Sequence, residues 1–437
     1  MCKAFYYKKY EFNPSTGILN LFYETDEKHS FCETITFEGA PFELSTEKED
    51  ALHEIFFLTH IAFGISYYKA FCPEVIKIQS GSLTQNEALF FDKFYLEGLG
   101  EFAVRNNLNL QNKIHFPFNQ NFKRKSFPFE FEEQFIVPVG GGKDSCVSIE
   151  LLKKLQKKIT PISVSNPRPI LECKQKSGAS SLLITRKISP LLIELNKTGN
   201  VYNGHVPITG MLAFILWASA LLYNHKYIAM STEASANVPN LMQGTLKINH
   251  QYSKSFSFET DFHQITKSLT PNFLYFSLLR PFSELKISSL FASYCSDYFD
   301  VFTSCNKAFK IDENKRLDRW CGTCDKCRFV FLALAPFMEK QTLVKAVGTN
   351  PLNEKDNLKG YEELLGLSGH KPFECVGEIE ECRTAFHLLL KKKEYQNDFI
   401  IQTLKESVPA PCQNVFDEQS QHLIPMELYR EISRFIA

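Results

Sequence analysis

The hydrophobic positions change their period along the chain. Ile18-Leu-Asn-Leu-Phe-Tyr23 and Phe31-Cys-Glu-Thr-Ile-Thr-Phe37 partly alternate apolar and polar residues, and Pro14, Ser15, Gly17 and Gly39 punctuate them. A period of two predicts a β-rich N-terminal region. Leu52 to Phe63 switches to a helical period. Residues 111 to 134 interleave Asn, Lys, Pro and Phe with neither period, which predicts an irregular connector and a domain boundary near residue 130.

From Phe135 apolar runs alternate with helical stretches. Strands are expected at Phe135–Val139, Ile159–Val164, Leu182–Thr185, Tyr227–Ser231 and within 272–279. Helices are expected at Asp144–Lys157, at Pro207–Tyr223 and from Ser283 onward. That alternation predicts an α/β fold built on a doubly wound, mostly parallel sheet. Beyond Asn350 the helical candidates are Tyr361–Leu365, Arg383–Lys392 and Pro425–Phe435. The expected regions are therefore 1–130 (β-rich), 131–345 (α/β, catalytic) and 346–437 (a small helical appendage).

Length supports more than one core, since 437 residues exceed what a single ordinary core organises. Hydrophobic content of 44% and charged content of 22% are those of a folded globular chain. The 49 basic and 49 acidic residues balance, which weighs against a large nucleic-acid footprint. Residues 1 to 13 lack the continuous apolar stretch of a signal peptide. Met211–Tyr223 is apolar for only 13 residues, short of the roughly 20 a bilayer needs, so a buried helix is expected and no membrane insertion. The 13 cysteines are odd in number and clustered in one place, unlike a secreted disulfide framework, so the cytoplasm is the expected compartment.

One stretch concentrates chemistry: Phe135-Ile-Val-Pro-Val-Gly-Gly-Gly-Lys-Asp-Ser-Cys-Val-Ser-Ile-Glu150 reads as strand, glycine turn and helix. Gly140, Gly141 and Gly142 let backbone N–H groups approach an anion, and Ser145 adds a hydroxyl at the positive end of a helix. No Walker A motif can be written through it. The spelling Gly140-Gly-Gly-Lys-Asp-Ser145 resembles the Ser-Gly-Gly-x-Asp-Ser signature of the PP-loop ATP pyrophosphatases, with Gly in place of the first Ser. The resemblance implies cleavage of ATP between its α and β phosphates, with Gly140, Gly141, Gly142, Lys143, Asp144 and Ser145 holding pyrophosphate and Mg2+.

Ligands of doubly wound sheets sit beyond the carboxyl ends of the strands. Asn166, Arg168, Ser231, Thr232, Glu233 and Arg280 follow expected strands there, although each can equally cap a helix or pair on the surface. Tyr202-Asn-Gly-His-Val-Pro207 puts Asn203 and His205 just before the buried helix, either as anchors of that helix or as site residues. Asn249-His-Gln-Tyr-Ser-Lys-Ser255 crowds His250, Gln251, Ser253 and Lys254 together, which suits either a phosphate- or sugar-binding loop or a solvated one. Trp320-Cys-Gly-Thr-Cys-Asp-Lys-Cys-Arg328 carries Cys321, Cys324 and Cys327, and Cys305 lies sixteen positions before Cys321. Four thiolates around one structural zinc ion is the economical reading. An iron–sulfur cluster, a redox Cys-x-x-Cys and plain buried thiols are the others.

Taken together, Pro138–Ser145, Asn203–Pro207, Glu233-Ala-Ser-Ala-Asn237, Asn249–Lys254, Trp320–Phe329 and Pro372-Phe-Glu-Cys-Val-Gly-Glu378 resemble the bacterial UDP-N-acetyl-α-D-muramoyl-L-alanyl-L-glutamate epimerase family over nearly the whole chain. A more distant resemblance is to the zinc-containing 7-cyano-7-deazaguanine synthase group. The nearer resemblance implies ATP- and Mg2+-dependent inversion of the terminal glutamate of a UDP-linked muramoyl dipeptide, for peptidoglycan precursor synthesis. On that basis the candidates for proton transfer are His205, His250, Glu233 and Cys375. Asn203, Gln251, Ser253, Lys254 and Arg280 are the candidates for substrate contact, and Cys305, Cys321, Cys324 and Cys327 for zinc. Another adenylating synthase forming an amide or nitrile, a tRNA-modifying adenylating enzyme and a nucleotide-binding module without catalysis are the alternatives.

Overall fold

The computed structural model describes residues 2–243, 246–310, 313–369, 372, 374–419 and 421–436. Its strands are β1 (Ala4–Asn13), β2 (Ile18–Thr25), β3 (Ser30–Phe37), β4 (Val75–Ile78), β5 (Glu132–Pro138), β6 (Lys158–Val164), β7 (Leu182–Lys187), β8 (His225–Met230), β9 (Leu241–Gln243), β10 (Leu246–Ile248) and β11 (Leu274–Ser277). Nine of them hydrogen-bond in the order β11-β8-β5-β6-β7-β3-β2-β1-β4, and β9 pairs with β10. The α/β class with a β-rich N-terminus holds. β5 pairs with β8 and β1 with β4 in parallel, whereas β1–β2, β2–β3 and β3–β7 are antiparallel.

Packing divides the chain into two compact units, each drawn from three stretches. The first contains Met1–Ile136, Leu182–Ile228 and Leu241–Phe276, and the second Val137–Ser181, Ala229–Asn240 and Ser277–Ala437. Thus β7, expected among the strands of the α/β region, lies in the first unit against β3.

In the first unit the alternation of β2 and β3 puts Leu19, Leu21, Tyr23, Phe31, Ile35 and Phe37 into the core. Against this core lie the helices Thr46–Phe63 and Ile208–Leu222. The second of these is the apolar stretch Met211–Tyr223; it is buried on nearly every side, and Trp217 donates its indole N–H to Thr270 Oγ1 at 2.9 Å. No helix among the described residues is long and apolar enough to cross a membrane. Several elements here have no counterpart in the sequence reading, among them β1, β4 and two of the longer helices. β1 escaped because a register shift between Tyr7 and Lys9 breaks its period of two. The helices Gln85–Gly98 and Phe256–Leu269 begin at side-chain caps, Thr84 and Ser255, that the reading passed over.

In the second unit the helix Lys143–Lys154 follows the glycine turn and packs on the helix Glu284–Tyr294. Helix Asp325–Leu334 starts at the cysteine cluster and packs on Ile379–Leu390. The C-terminal helix Met426–Ile436 is amphipathic, burying Leu428, Ile432 and Ile436.

Candidate active site

The glycine turn is held from behind. Gly141 has φ +81°, a left-handed conformation that glycine adopts without steric cost, and its carbonyl accepts the Thr303 N–H at 2.7 Å. A Cβ on Gly142 would lie 2.7 Å from Ser304 Oγ, so a side chain there would require the Ser304 hydroxyl to turn away. Gly142 is the N-cap of the Lys143–Lys154 helix, and Ser145 donates its hydroxyl proton back to the Gly142 carbonyl at 3.2 Å. Four orphan N–H groups and the positive helix end therefore face outward from this turn.

Beside the turn stands an acidic group. One carboxylate oxygen from each of Asp144, Glu233 and Glu284 lies within 4.8 Å of the others. The Lys143 ammonium, almost fully buried, pairs with both Asp144 and Glu284 in short contacts. Burial works against that ammonium, but Asp144 and Glu284 more than offset it and hold its pKa above the ordinary lysine value. Burial pushes the Glu284 carboxyl well above the usual range; Asp144 and Glu233 push the same way and Lys143 opposes them. Three carboxylates against one ammonium leave about two negative charges unbalanced when all are ionised, a donor set that fits a hard divalent cation.

Glu284 was not singled out in the sequence, where it reads as an ordinary first-turn acid behind the Ser283 cap. Glu233, a candidate for proton transfer, lies in this acidic group. Arg280, expected to touch substrate, is buried and donates to the Glu233 carbonyl at 2.8 Å and to Thr232 Oγ1 at 2.9 Å. Its guanidinium fixes the turn that carries Glu233. Arg168 pairs with Glu172 on its own helix at 2.9 Å.

In the first unit a second group forms around a residue that sequence reasoning missed. Glu101 accepts a short hydrogen bond from His250 Nδ1, His205 Nδ1 lies 3.6 Å from the same oxygen, and the two imidazole centroids are 4.6 Å apart. Arg105 Nε donates to the other Glu101 oxygen at 2.6 Å. Burial, and next the neighbouring His250, push His205 down to about 4, so its imidazole is neutral near pH 7. Against the upward push of burial, the hydrogen bond and charge of His250, with His205 and Arg105, hold Glu101 below the usual carboxylate range.

Asn203 accepts from the buried Lys69 ammonium at 3.2 Å, and Gly204 O does so at 2.9 Å, which secures the loop carrying His205. Burial pushes Lys69 down to about 8. Gln251 and Ser253 are buried in the turn after His250, and Gln251 Oε1 has no hydrogen-bond partner among the described residues. Lys254 is half-buried in the same turn.

The four cysteines do meet. Cys305, Cys321, Cys324 and Cys327 offer sulfurs within 4.8 Å of one another, with Cys321–Cys327 at 3.8 Å and Cys324–Cys327 at 3.4 Å. Zinc–sulfur bonds of about 2.3 Å at tetrahedral angles put sulfurs roughly 3.8 Å apart. Backbone N–H groups of Thr323 and Cys324 donate to Cys321 Sγ at 3.5 and 3.3 Å, and thiol donation first from Cys324, then from Cys327, holds Cys305 low, at about 3. The donor set fits one tetrahedral ion, while a multi-iron cluster needs thiolates spread around a larger core.

Cys375 stands in none of these three groups. Its neighbour Glu374 accepts from Asn306 at 2.6 Å, just after Cys305, and Glu378 forms a capping box with Glu381 at the start of the next helix. Of the motif Pro372–Glu378, Phe373 lies outside the described residues.

Fold and clusters together define an α/β protein with a glycine turn ahead of a helix, an acidic group beside it, a histidine pair on a shared carboxylate and a four-thiol metal-type centre. A family model described as the MurL N-terminal domain matches residues 1–278, and one described as the MurL C-terminal domain matches residues 301–419. The chain is 38% identical over 414 residues to the UDP-N-acetyl-alpha-D-muramoyl-L-alanyl-L-glutamate epimerase of Xanthomonas oryzae pv. oryzae, covering 94% of this chain and 91% of that one. It is 36% identical over 437 residues to the protein of the same name from Micromonospora sp., covering 97% and 96%. With that of Salinispora tropica it shares 37% over 414 residues, covering 93% and 89%. The chain belongs to the MurL family of epimerases.

Proposed function

We propose that the protein inverts the α-carbon of the terminal L-glutamate of UDP-MurNAc-L-Ala-L-Glu, spending ATP to AMP and pyrophosphate, as a cytoplasmic step in peptidoglycan precursor synthesis. The observation that carries the ATP requirement is the glycine turn at the start of the Lys143–Lys154 helix with Asp144, Glu233 and Glu284 gathered beside it. The substrate comes from the names of the relatives at 36–38% identity over nearly full length.

The chemistry gives ATP a reason. Removing an α-proton beside a carboxylate places a second negative charge next to the first. Transfer of AMP to that carboxylate neutralises it and makes the carbonyl an electron sink. In this assignment the N–H groups of 140–145 and Lys143 bind the phosphates, and the acidic group would hold Mg2+, which supplies charge neutralisation at the phosphates.

His205 and His250 exchange the α-proton, one taking it and the other returning one to the opposite face. Glu101 fixes His250 by accepting from Nδ1, which leaves Nε2 as the basic atom. Water then cleaves the acyl-adenylate to D-glutamate and AMP. Cys305, Cys321, Cys324 and Cys327 would hold a structural zinc ion with no open coordination position.

The test is incubation with the UDP-linked dipeptide, ATP and Mg2+, followed by assay of pyrophosphate and of glutamate chirality. ATP-dependent D-glutamate with stoichiometric pyrophosphate is expected. Pyrophosphate released only when ammonia or an amine is supplied, with glutamate still L, would replace this reading with an amide-forming synthase.

A further inference from the structure

Thr303, Ser304 and Cys305 are consecutive, and each faces a different task. The Thr303 N–H is committed to the Gly141 carbonyl at 2.7 Å. Ser304 Oγ lies 2.7 Å from where a Gly142 Cβ would be, which puts a hydroxyl directly on the glycine turn. Cys305 is fully buried and is one of the four clustered thiols. Phe309, packed against the cysteine cluster, also approaches Gly141, 3.3 Å from its would-be Cβ.

Two hydroxyls in this strap make no hydrogen bond among the described residues. Thr303 Oγ1 is enclosed and partnerless. Ser304 is half-buried, and its hydroxyl makes no hydrogen bond among the described residues. A partly desolvated, unspent hydroxyl lying against this glycine turn is placed as a further donor for whatever anion the turn receives.

We propose that Ser304 is a phosphate-contacting residue of the nucleotide site, and that the four-cysteine centre positions it through Cys305. This rests on the reading of the glycine turn as the ATP site. The metal-type centre is then a positioning device, since anchoring Cys305 fixes the residue immediately before it. One hydrogen bond to a charged oxygen is worth roughly tenfold to a hundredfold in affinity.

The experiment is calorimetric titration of the intact protein with ATP–Mg2+ and, separately, with inorganic pyrophosphate. Ser304→Ala is expected to weaken both by about tenfold or more, while Thr303→Val, whose hydroxyl is enclosed, stays within about twofold of the wild type. Cys321→Ser is expected to weaken ATP in the wild-type background and to add little on top of Ser304→Ala. Circular dichroism and thermal melting of each variant report the fold independently. Wild-type affinity in Ser304→Ala overturns the contact. Equal losses in Ser304→Ala and Thr303→Val do so too, because they would mark a general disturbance of the strap. Additive losses in the double variant overturn the coupling to the cysteines. If Asp144→Ala abolishes binding while Ser304→Ala leaves it intact, the ATP site stands and this inference alone fails; no ATP binding by the wild type sinks both.

Discussion

The acidic group of the second unit and the histidine group of the first use similar parts to opposite ends. Around Lys143, three carboxylates surround one ammonium, and the surplus is negative charge with Glu284 deeply buried. Around Glu101, one carboxylate serves two imidazoles and a guanidinium, and the surplus is exchangeable protons. The first arrangement stabilises fixed charge and suits a cation and phosphates. The second has a neutral imidazole at pH 7 and a carboxylate that orients its neighbour, which suits proton transfer. If ATP activation precedes proton exchange as proposed, a variant of the histidine group should lose exchange and keep activation, whereas a variant of the acidic group should lose both.

The largest effect is expected for Asp144→Ala. Losing this half-exposed carboxylate should lower pyrophosphate release about a thousandfold or more while the protein still folds, as read by pyrophosphate assay and near-UV circular dichroism. Lys143→Met tests the charge balance of the same group. It leaves Glu284 buried without its cation and is expected to cost about 3–5 kcal/mol in urea unfolding; an unchanged midpoint would mean the pair is not the stabilising element.

For the histidine group, His250→Ala should slow α-proton exchange about a hundredfold or more with pyrophosphate release within a few-fold of the wild type. Loss of both in parallel would show that the two groups are not separable.

The smallest effect concerns acid stability of the first unit. Burial pushes His60 down to about 3, and burial with His250 pushes His205 to about 4. Below an unfolded-state pKa near 6.5 the unfolded chain binds protons that the folded one does not, so stability is full above that pH and falls as pH drops towards 3–4. His60→Gln should flatten that decline in urea titrations at pH 7, 5 and 4; an identical slope would remove His60 as its source.

What could be read from the chain follows the range over which each feature is assembled. The glycine turn and Cys321, Cys324 and Cys327 lie within short runs of sequence, so spacing alone exposes them. Cys305 needed the chain to loop back, and it does. β2, β3, β6, β8 and the helices Lys143–Lys154 and Ile208–Leu222 follow from period and length, whereas the bulge in β1 hid its alternation.

Glu101 sits on a six-residue helix, Gly100–Arg105, with no motif around it. The one local signal was an acid among Phe102 and Ala103 with Arg105 four residues on, a pairing as common on solvated faces. Only the fold brings it to His205 and His250. Arg280 illustrates a second kind of long-range contact: its place at a strand end is legible in the sequence, whereas its bonds to Thr232 and Glu233 are not.

The most direct test of the separation is the ratio of α-deuterium incorporated to pyrophosphate released when the UDP-linked dipeptide is turned over with ATP and Mg2+ in deuterated water. The account predicts about one deuterium per pyrophosphate in D-glutamate for the wild type, neither product for Asp144→Ala, and pyrophosphate with little deuterium for His250→Ala. Deuterium entering glutamate at the wild-type rate in Asp144→Ala, or without ATP, would contradict it.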